Sequence, residues 1–141
     1  MGAVLEVLQR ETRFMASAHS PTVLIVDDEP LIRWAVARTL TAAGCSVQEA
    51  GNAAEAMVCL GRGSPDVVLM DYRLPDTRGF SLVSAIRTVS PDSAIVMMTA
   101  EQPEVTARAQ SQGVSAVMQK PFDMSAVESE VLKLARPRPP A

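Results

Sequence analysis

The amino-acid sequence predicts an α/β protein, a (βα)5 three-layer sandwich with a parallel five-stranded sheet at its centre. Three observations carry this. Short β-branched or aliphatic runs alternate with stretches of helical spacing along the 141 residues. The runs at 23–26, 67–70 and 95–98 are almost wholly apolar, as strands covered on both faces are. The intervening stretches are about 10–15 residues long, enough for right-handed crossovers between parallel strands.

The first strand is 22–27, TVLIVD, after a proline-marked lead-in that ends at Ser20-Pro21. Leu31, Trp34, Ala35, Arg38 and Leu40 are expected to mark the first helix, which Gly44 stops. The second strand, 45–50 CSVQEA, is more polar and belongs at a sheet edge. Asn52 is the expected N-cap of a second helix through Ala53, Met57 and Leu60, ended by Gly61 and Gly63. The third strand is 66–71, DVVLMD, and the third helix carries Phe80, Val83 and Ile86. A fourth strand, 94–99 AIVMMT, leads to a shorter helix begun by Pro103, with Val105 and Ala109 on its apolar side. The fifth strand, 115–119 SAVMQ, precedes a last helix marked by Val127, Val131 and Leu134. Residues 1–20 are expected to be a flexible extension, 21–135 the folded domain, and 136–141, RPRPPA, a stiff tail.

Apolar residues make up 48% of the chain and aromatics only 4%, so the core must be aliphatic and methionine-filled. A net charge of −3 offers no electrostatic footprint for nucleic acid, and no direct nucleic-acid partner is expected. No apolar run approaches ~18 residues, so no membrane span is expected. Glu6 and Gln9 stand where a secretion signal needs an apolar stretch, which makes a cytoplasmic location the expectation. Cys45 and Cys59 are expected to be reduced and packed.

Ligands of open parallel α/β sheets sit outside the carboxyl ends of the strands. Here the first strand stops at Asp27 and Asp28, the third at Asp71, the fourth at Thr99, and the fifth runs into Lys120. Three carboxylates, a hydroxyl and an ammonium therefore converge on one edge. Two like charges 4 Å apart repel by about 4 kcal/mol at an effective dielectric near 20, and one lysine cannot neutralise three acids. A hard divalent cation can. Mg²⁺ takes one or two carboxylates, keeps several waters and leaves positions for phosphate oxygens. The pattern points to phosphoryl chemistry: Mg²⁺ on Asp28 and Asp71 with Asp27 behind it, and Asp71 as an in-line nucleophile. Lys120 would neutralise phosphoryl charge and Thr99 would donate its hydroxyl. Each residue also has a plainer reading. Asp28 would cap the first helix with Pro30 in its first turn, Asp71 would be a turn residue, Thr99 a helix start and Lys120 a solvated loop residue. Their joint placement at four strand ends favours the functional reading.

The segments VLIVDDEP, DVVLMDYRLPDTRGF, IVMMTA and QKPF resemble, in order and spacing, the receiver domain of bacterial two-component response regulators over about residues 22–135. The resemblance implies a flavodoxin-like fold with strand order 2-1-3-4-5. It implies phosphorylation of Asp71 by a sensor histidine kinase or a histidine phosphotransfer protein. It places Mg²⁺ at Asp28, Asp71 and the backbone carbonyl of Arg73, with Asp27 assisting through water, and sets Thr99 and Lys120 against the phosphoryl group. Pro121 is expected to follow a cis peptide bond. A downstream protein is expected on the face formed by the fourth helix, fifth strand and fifth helix.

One departure stands out: Val117 occupies the position, three before the lysine, where the family usually carries an aromatic residue. A valine has no ring to turn inward. Arg73 and Glu101, each two residues beyond a strand end, are expected to flank the mouth of the site. Two other readings stay open. A haloacid-dehalogenase-like phosphatase uses similar groups, but its nucleophile follows the first strand in a DxD pattern; a receiver-like module that is never phosphorylated is the other. The expected role is that of a signalling domain and not a turnover enzyme, either a single-domain regulator or an excised receiver.

Overall fold

The computed structural model describes Val4 and residues 20–77, 80–100 and 103–135. The expected extension, apart from Val4 and Ser20, the tail 136–141 and Glu101 lie outside the described residues. The elements run β1 (Thr22–Val26), α1 (Pro30–Ala42), β2 (Ser46–Ala50), α2 (Ala53–Gly61), β3 (Val67–Asp71), α3 (Ser81–Val89), β4 (Ala94–Thr99), α4 (Pro103–Ser111), β5 (Ala116–Gln119) and α5 (Met124–Leu134). All strand pairs are parallel, in the order β2-β1-β3-β4-β5. The expected fold class holds, with the polar β2 at an edge and the three apolar runs in the middle.

Strand alternation divides the core in two. Leu24, Val26, Val68, Met70, Ile95 and Met97 pack with α2, α3 and α4, chiefly through Leu60, Ile86 and Val105. Val23, Ile25, Val67, Leu69, Val96 and Met98 pack with α1 and α5 through Val36, Leu40, Val127 and Val131. Both cysteines are free thiols, Cys45 buried and Cys59 half-buried.

The helices start and stop for local reasons. Asn52 caps α2 as expected, its side chain accepting from the Glu55 amide. Pro30 opens α1, where a missing N–H costs nothing. Gly44 ends that helix at φ +96°, its amide donating to the Thr41 carbonyl while the Cys45 amide donates to Leu40.

The apolar stripe of α1 differs from the one expected. Leu31 is 82% and Trp34 58% exposed. Leu40 is buried as expected, but its buried companion is Val36, with Ile32 and Ala37 beside them. Of the expected stripe, Leu40 does face the sheet, but it does so in the series 32/36/40, whose members are all branched aliphatics, and not with 31, 34 and the cationic Arg38. Trp34 is partly covered by the Arg38 guanidinium, 5.4 Å from its ring centroid.

At the amino edge of the sheet a single cationic side chain is satisfied by backbone carbonyls. Arg87 Nη1 donates to the carbonyls of Pro91 (3.2 Å) and Ser93 (2.7 Å), and Nη2 donates to that of Gly113. One guanidinium thus joins the turns that lead into β4 and β5.

Leu69 is fully buried in the middle strand. Leu69→Ala is expected to lower the unfolding free energy in urea by about 2–5 kcal/mol, the usual range for a core leucine. A loss below about 1 kcal/mol would contradict the packing described.

Candidate functional site

Asp27 follows β1 directly, and its amide still donates to the Ala50 carbonyl at 3.0 Å, so the backbone stays in the sheet while the side chain reaches the edge. That side chain is fully buried. Its Oδ1 accepts from the Glu29 amide at 2.9 Å and its Oδ2 lies 3.4 Å from Lys120 Nζ. Arg33 braces the turn, with Nη1 donating to the Asp27 carbonyl at 2.6 Å and Nε to Glu49 at 3.2 Å.

Asp71 is the last residue of β3 and is buried with the rest of that strand. Its Oδ1 accepts from the Arg73 amide at 3.0 Å and its Oδ2 from Lys120 Nζ at 2.8 Å. Lys120 is placed by β5, its amide donating to the Thr99 carbonyl at 2.8 Å. The Lys120–Pro121 peptide is cis, as expected.

Carboxylate oxygens of Asp27, Asp28, Glu29 and Asp71 all lie within 4.8 Å of one another. Three of the four expected site carboxyl and amine groups are therefore locked together, and Asp28 completes the cluster from its exposed side. Among the described residues Asp28 has no hydrogen-bond partner, and it does not cap α1. The N-cap is Glu29, without a side-chain cap; its amide donates to Asp27 and its carboxylate is turned toward Lys120.

Glu29 is the member that sequence reading missed. Its Oε1 lies 3.4 Å from Lys120 Nζ. The signal was present in the acidic string DDEP, but a residue two beyond a strand end reads as the lead-in to a helix. Thr99 sits at the expected edge, 2% exposed, with its hydroxyl donating to the Ala100 carbonyl at 3.0 Å and not to the carboxylates. The Arg73 side chain is exposed, and its amide is what engages Asp71. Val117 is half-buried opposite Met97, against the core on the α2–α4 side.

Burial pushes the Asp27 carboxyl above the ordinary carboxylate range, and the Asp71 charge adds to this, against the Glu29 amide and Lys120. For Lys120, burial pulls the other way. The hydrogen bond it donates to Asp71 and the charges of Asp71, Asp27 and Glu29 outweigh it and hold the ammonium above the usual lysine value. It is cationic throughout the neutral range.

Fold and cluster together define a class: small doubly wound α/β domains with an acidic pocket at the carboxyl edge of the sheet. Residues 23–132 match the family described as the response regulator receiver domain, and the chain belongs to that family. It is similar to the DNA-binding transcriptional regulator NtrC of Escherichia coli (strain K12), 35% identical over 103 residues, covering 72% of this chain and 22% of that protein. Its counterpart in Klebsiella pneumoniae is 38% identical over 103 residues, covering 71% and 22%. The chain thus spans less than a quarter of the length of these curated relatives. Among solved structures, the chemotaxis response regulator CheY4 of Vibrio cholerae superposes with a TM-score of 0.76 at 29% identity, over 82% of this chain and 99% of that one. A CheY-like receiver domain protein from Methanospirillum hungatei shares the fold, with a TM-score of 0.78 at 23% identity over 83% and 94%. Receiver domains bind Mg²⁺ at an acidic cluster of this kind and work with histidine kinases or phosphotransfer proteins. No helix among the described residues is long and apolar enough to cross a membrane.

A carboxyl group raised on folding stabilises most below its unfolded pKa, about 4, and that contribution is lost as pH rises through the folded value. Asp27→Asn is therefore expected to raise the urea midpoint of metal-free protein at pH 7, with a smaller gap at pH 4. A variant no more stable than its parent at pH 7 would show that burial of Asp27 carries no penalty.

Proposed function

We propose that this chain accepts a phosphoryl group on Asp71 from a phosphohistidine of a sensor histidine kinase or histidine phosphotransfer protein, with Mg²⁺, and relays the change to a protein partner. The observation that carries the reading is the 2.8 Å contact between Lys120 and Asp71 inside a cluster of four carboxylates. One ammonium leaves that cluster short of positive charge, and its all-oxygen donors suit a hard divalent ion. Asp28 and Asp71, with the Arg73 carbonyl, would hold Mg²⁺, and Asp27 would assist through water. When bound, the ion neutralises charge on the phosphoryl oxygens and orients them.

The chain's own groups supply the rest. An Asp71 carboxylate oxygen attacks phosphorus in line, forming an O–P bond as the P–N bond to the donor histidine breaks and its electron pair returns to the imidazole. Lys120, already on Asp71, follows the charge outward onto the phosphoryl oxygens. Thr99 leaves the Ala100 carbonyl and donates its hydroxyl to one of those oxygens. The product carries about −1.5 to −2 charge where the carboxylate carried about −1, so the buried strand end gains up to about one negative charge. With Val117 in place of the aromatic residue, the shift at Thr99 is reported by the end of β4 and the start of α4. The α4–β5–α5 face is then the docking surface for a downstream protein.

The nucleophile's place at the end of β3, with adjacent acids after β1, sets this site apart from the DxD phosphatase arrangement. The role is a signalling one in the cytoplasm, carried by a domain spanning 21–135.

Incubation with phosphoramidate and Mg²⁺ is expected to add one phosphoryl group by intact mass, and Asp71→Asn to abolish it. EDTA should prevent labelling. Asp28→Ala should slow it by roughly tenfold or more, the scale on which even supporting groups of metal sites act. Undiminished labelling of Asp71→Asn would sink the assignment.

A further inference from the structure

The loop that follows Asp71 is fastened to a helix that supplies nothing to the site. Asp76, in that β3–α3 loop, accepts from the Ala53 amide through Oδ1 at 2.8 Å and from the Ala54 amide through Oδ2 at 3.0 Å. These are the first two amides of α2, which no carbonyl of the helix itself can reach. The helix has its own cap besides: Asn52 takes the Glu55 amide at 2.8 Å, and the Glu55 carboxylate takes the Gly51 amide at 2.9 Å. The loop is less well provided. The Arg73 amide rests on Asp71, Leu74 is buried and bridges to Thr77, and Pro75 and Asp76 are exposed. Among the described residues, Asp76 is the side chain that fixes the outer part of the loop to another element.

We propose that Asp76 is a positioning residue for the metal site. It grips two successive helix amides, so it sets both the place and the tilt of the loop, and with them the Arg73 peptide. The carbonyl of that peptide is the third protein ligand in the Mg²⁺ reading above, on which this inference rests. Mg²⁺ demands nearly ideal octahedral geometry at short distances. A loop free to rock therefore surrenders its carbonyl first. Asparagine at this position keeps one acceptor and turns an NH₂ toward the second amide, so it clamps at one point instead of two.

The test uses the full chain, Mg²⁺ alone as the titrant, and amide hydrogen exchange on metal-free protein. Asp76→Ala is expected to raise the Mg²⁺ Kd roughly three- to tenfold, the lower range for groups behind a metal ligand. It should also speed exchange at the Arg73 and Leu74 amides. Asp76→Asn should fall between variant and parent, and it serves if the alanine variant fails to fold. Asn52→Ala, which weakens the same helix end without touching the loop, should leave the Kd within about twofold. Unchanged Mg²⁺ affinity in Asp76→Ala would overturn the proposal, as would an equal loss in Asn52→Ala. A parent chain that binds no Mg²⁺ would sink the metal reading itself. The clamp would then stand or fall on the exchange measurement, and unchanged exchange would refute it.

Discussion

The ammonium of Lys120 holds together strand ends that are far apart in sequence. It touches Asp71 at 2.8 Å and Asp27 and Glu29 at 3.4 Å, so one side chain from the end of β5 reaches the ends of β3 and β1. Without that charge the buried carboxylates of Asp27 and Asp71 would face each other across the sheet edge, and such repulsion is not relieved by packing. Placement of the lysine is correspondingly firm. Its backbone amide is tied to Thr99, which stands at the end of the adjacent β4. In the proposed phosphoryl transfer, the group that stabilises the resting cluster is also the one that would meet incoming negative charge.

The two ends of the sheet do different work. At the amino edge, Arg87 spends its donors on three backbone carbonyls, and the hydroxyls of Ser90 and Ser93 bond to each other and onward to the Pro65 carbonyl. These contacts pair donors with neutral acceptors, and the carboxylate beside them, Asp66, is exposed and takes the amide and hydroxyl of Thr22. At the carboxyl edge, acids crowd together and Asp27 is buried against its preference for water. Destabilising charge is confined to the edge where chemistry needs it, while the other edge holds the layers in register.

Much of this was legible from the sequence because chain direction does the sorting. In a parallel sheet every strand delivers its last residue to the same edge, so Asp27, Asp71, Thr99 and Lys120 could be grouped from strand boundaries alone. The polarity of CSVQEA placed β2 at the rim for a similar reason: a strand covered on one side only need not be apolar. Less was visible where the third dimension chooses between equivalent patterns. Two apolar series on α1 satisfied helical spacing, and only the sheet decided that Leu31 and Trp34 stay outside. Asp76 meets Ala53 across 23 positions of sequence, and no periodicity connects a loop acid to a distant helix amide. The hydroxyl of Thr99 could be assigned to an edge but not to the Ala100 carbonyl, since that is a matter of rotamer.

The strand order leaves β2 with a neighbour on one side only. Its outer backbone amides and carbonyls are a template on which a second chain could add a strand, a hazard for a chain that is 48% apolar. The side chains along that rim work against it. Ser46, Gln48 and Glu49 are exposed, and Glu49 is engaged by Arg33. An intruding strand would have to strip water from a carboxylate and two polar groups before gaining its first ladder bond. The same polarity that marked β2 as an edge strand therefore guards that rim of the sheet against strand addition.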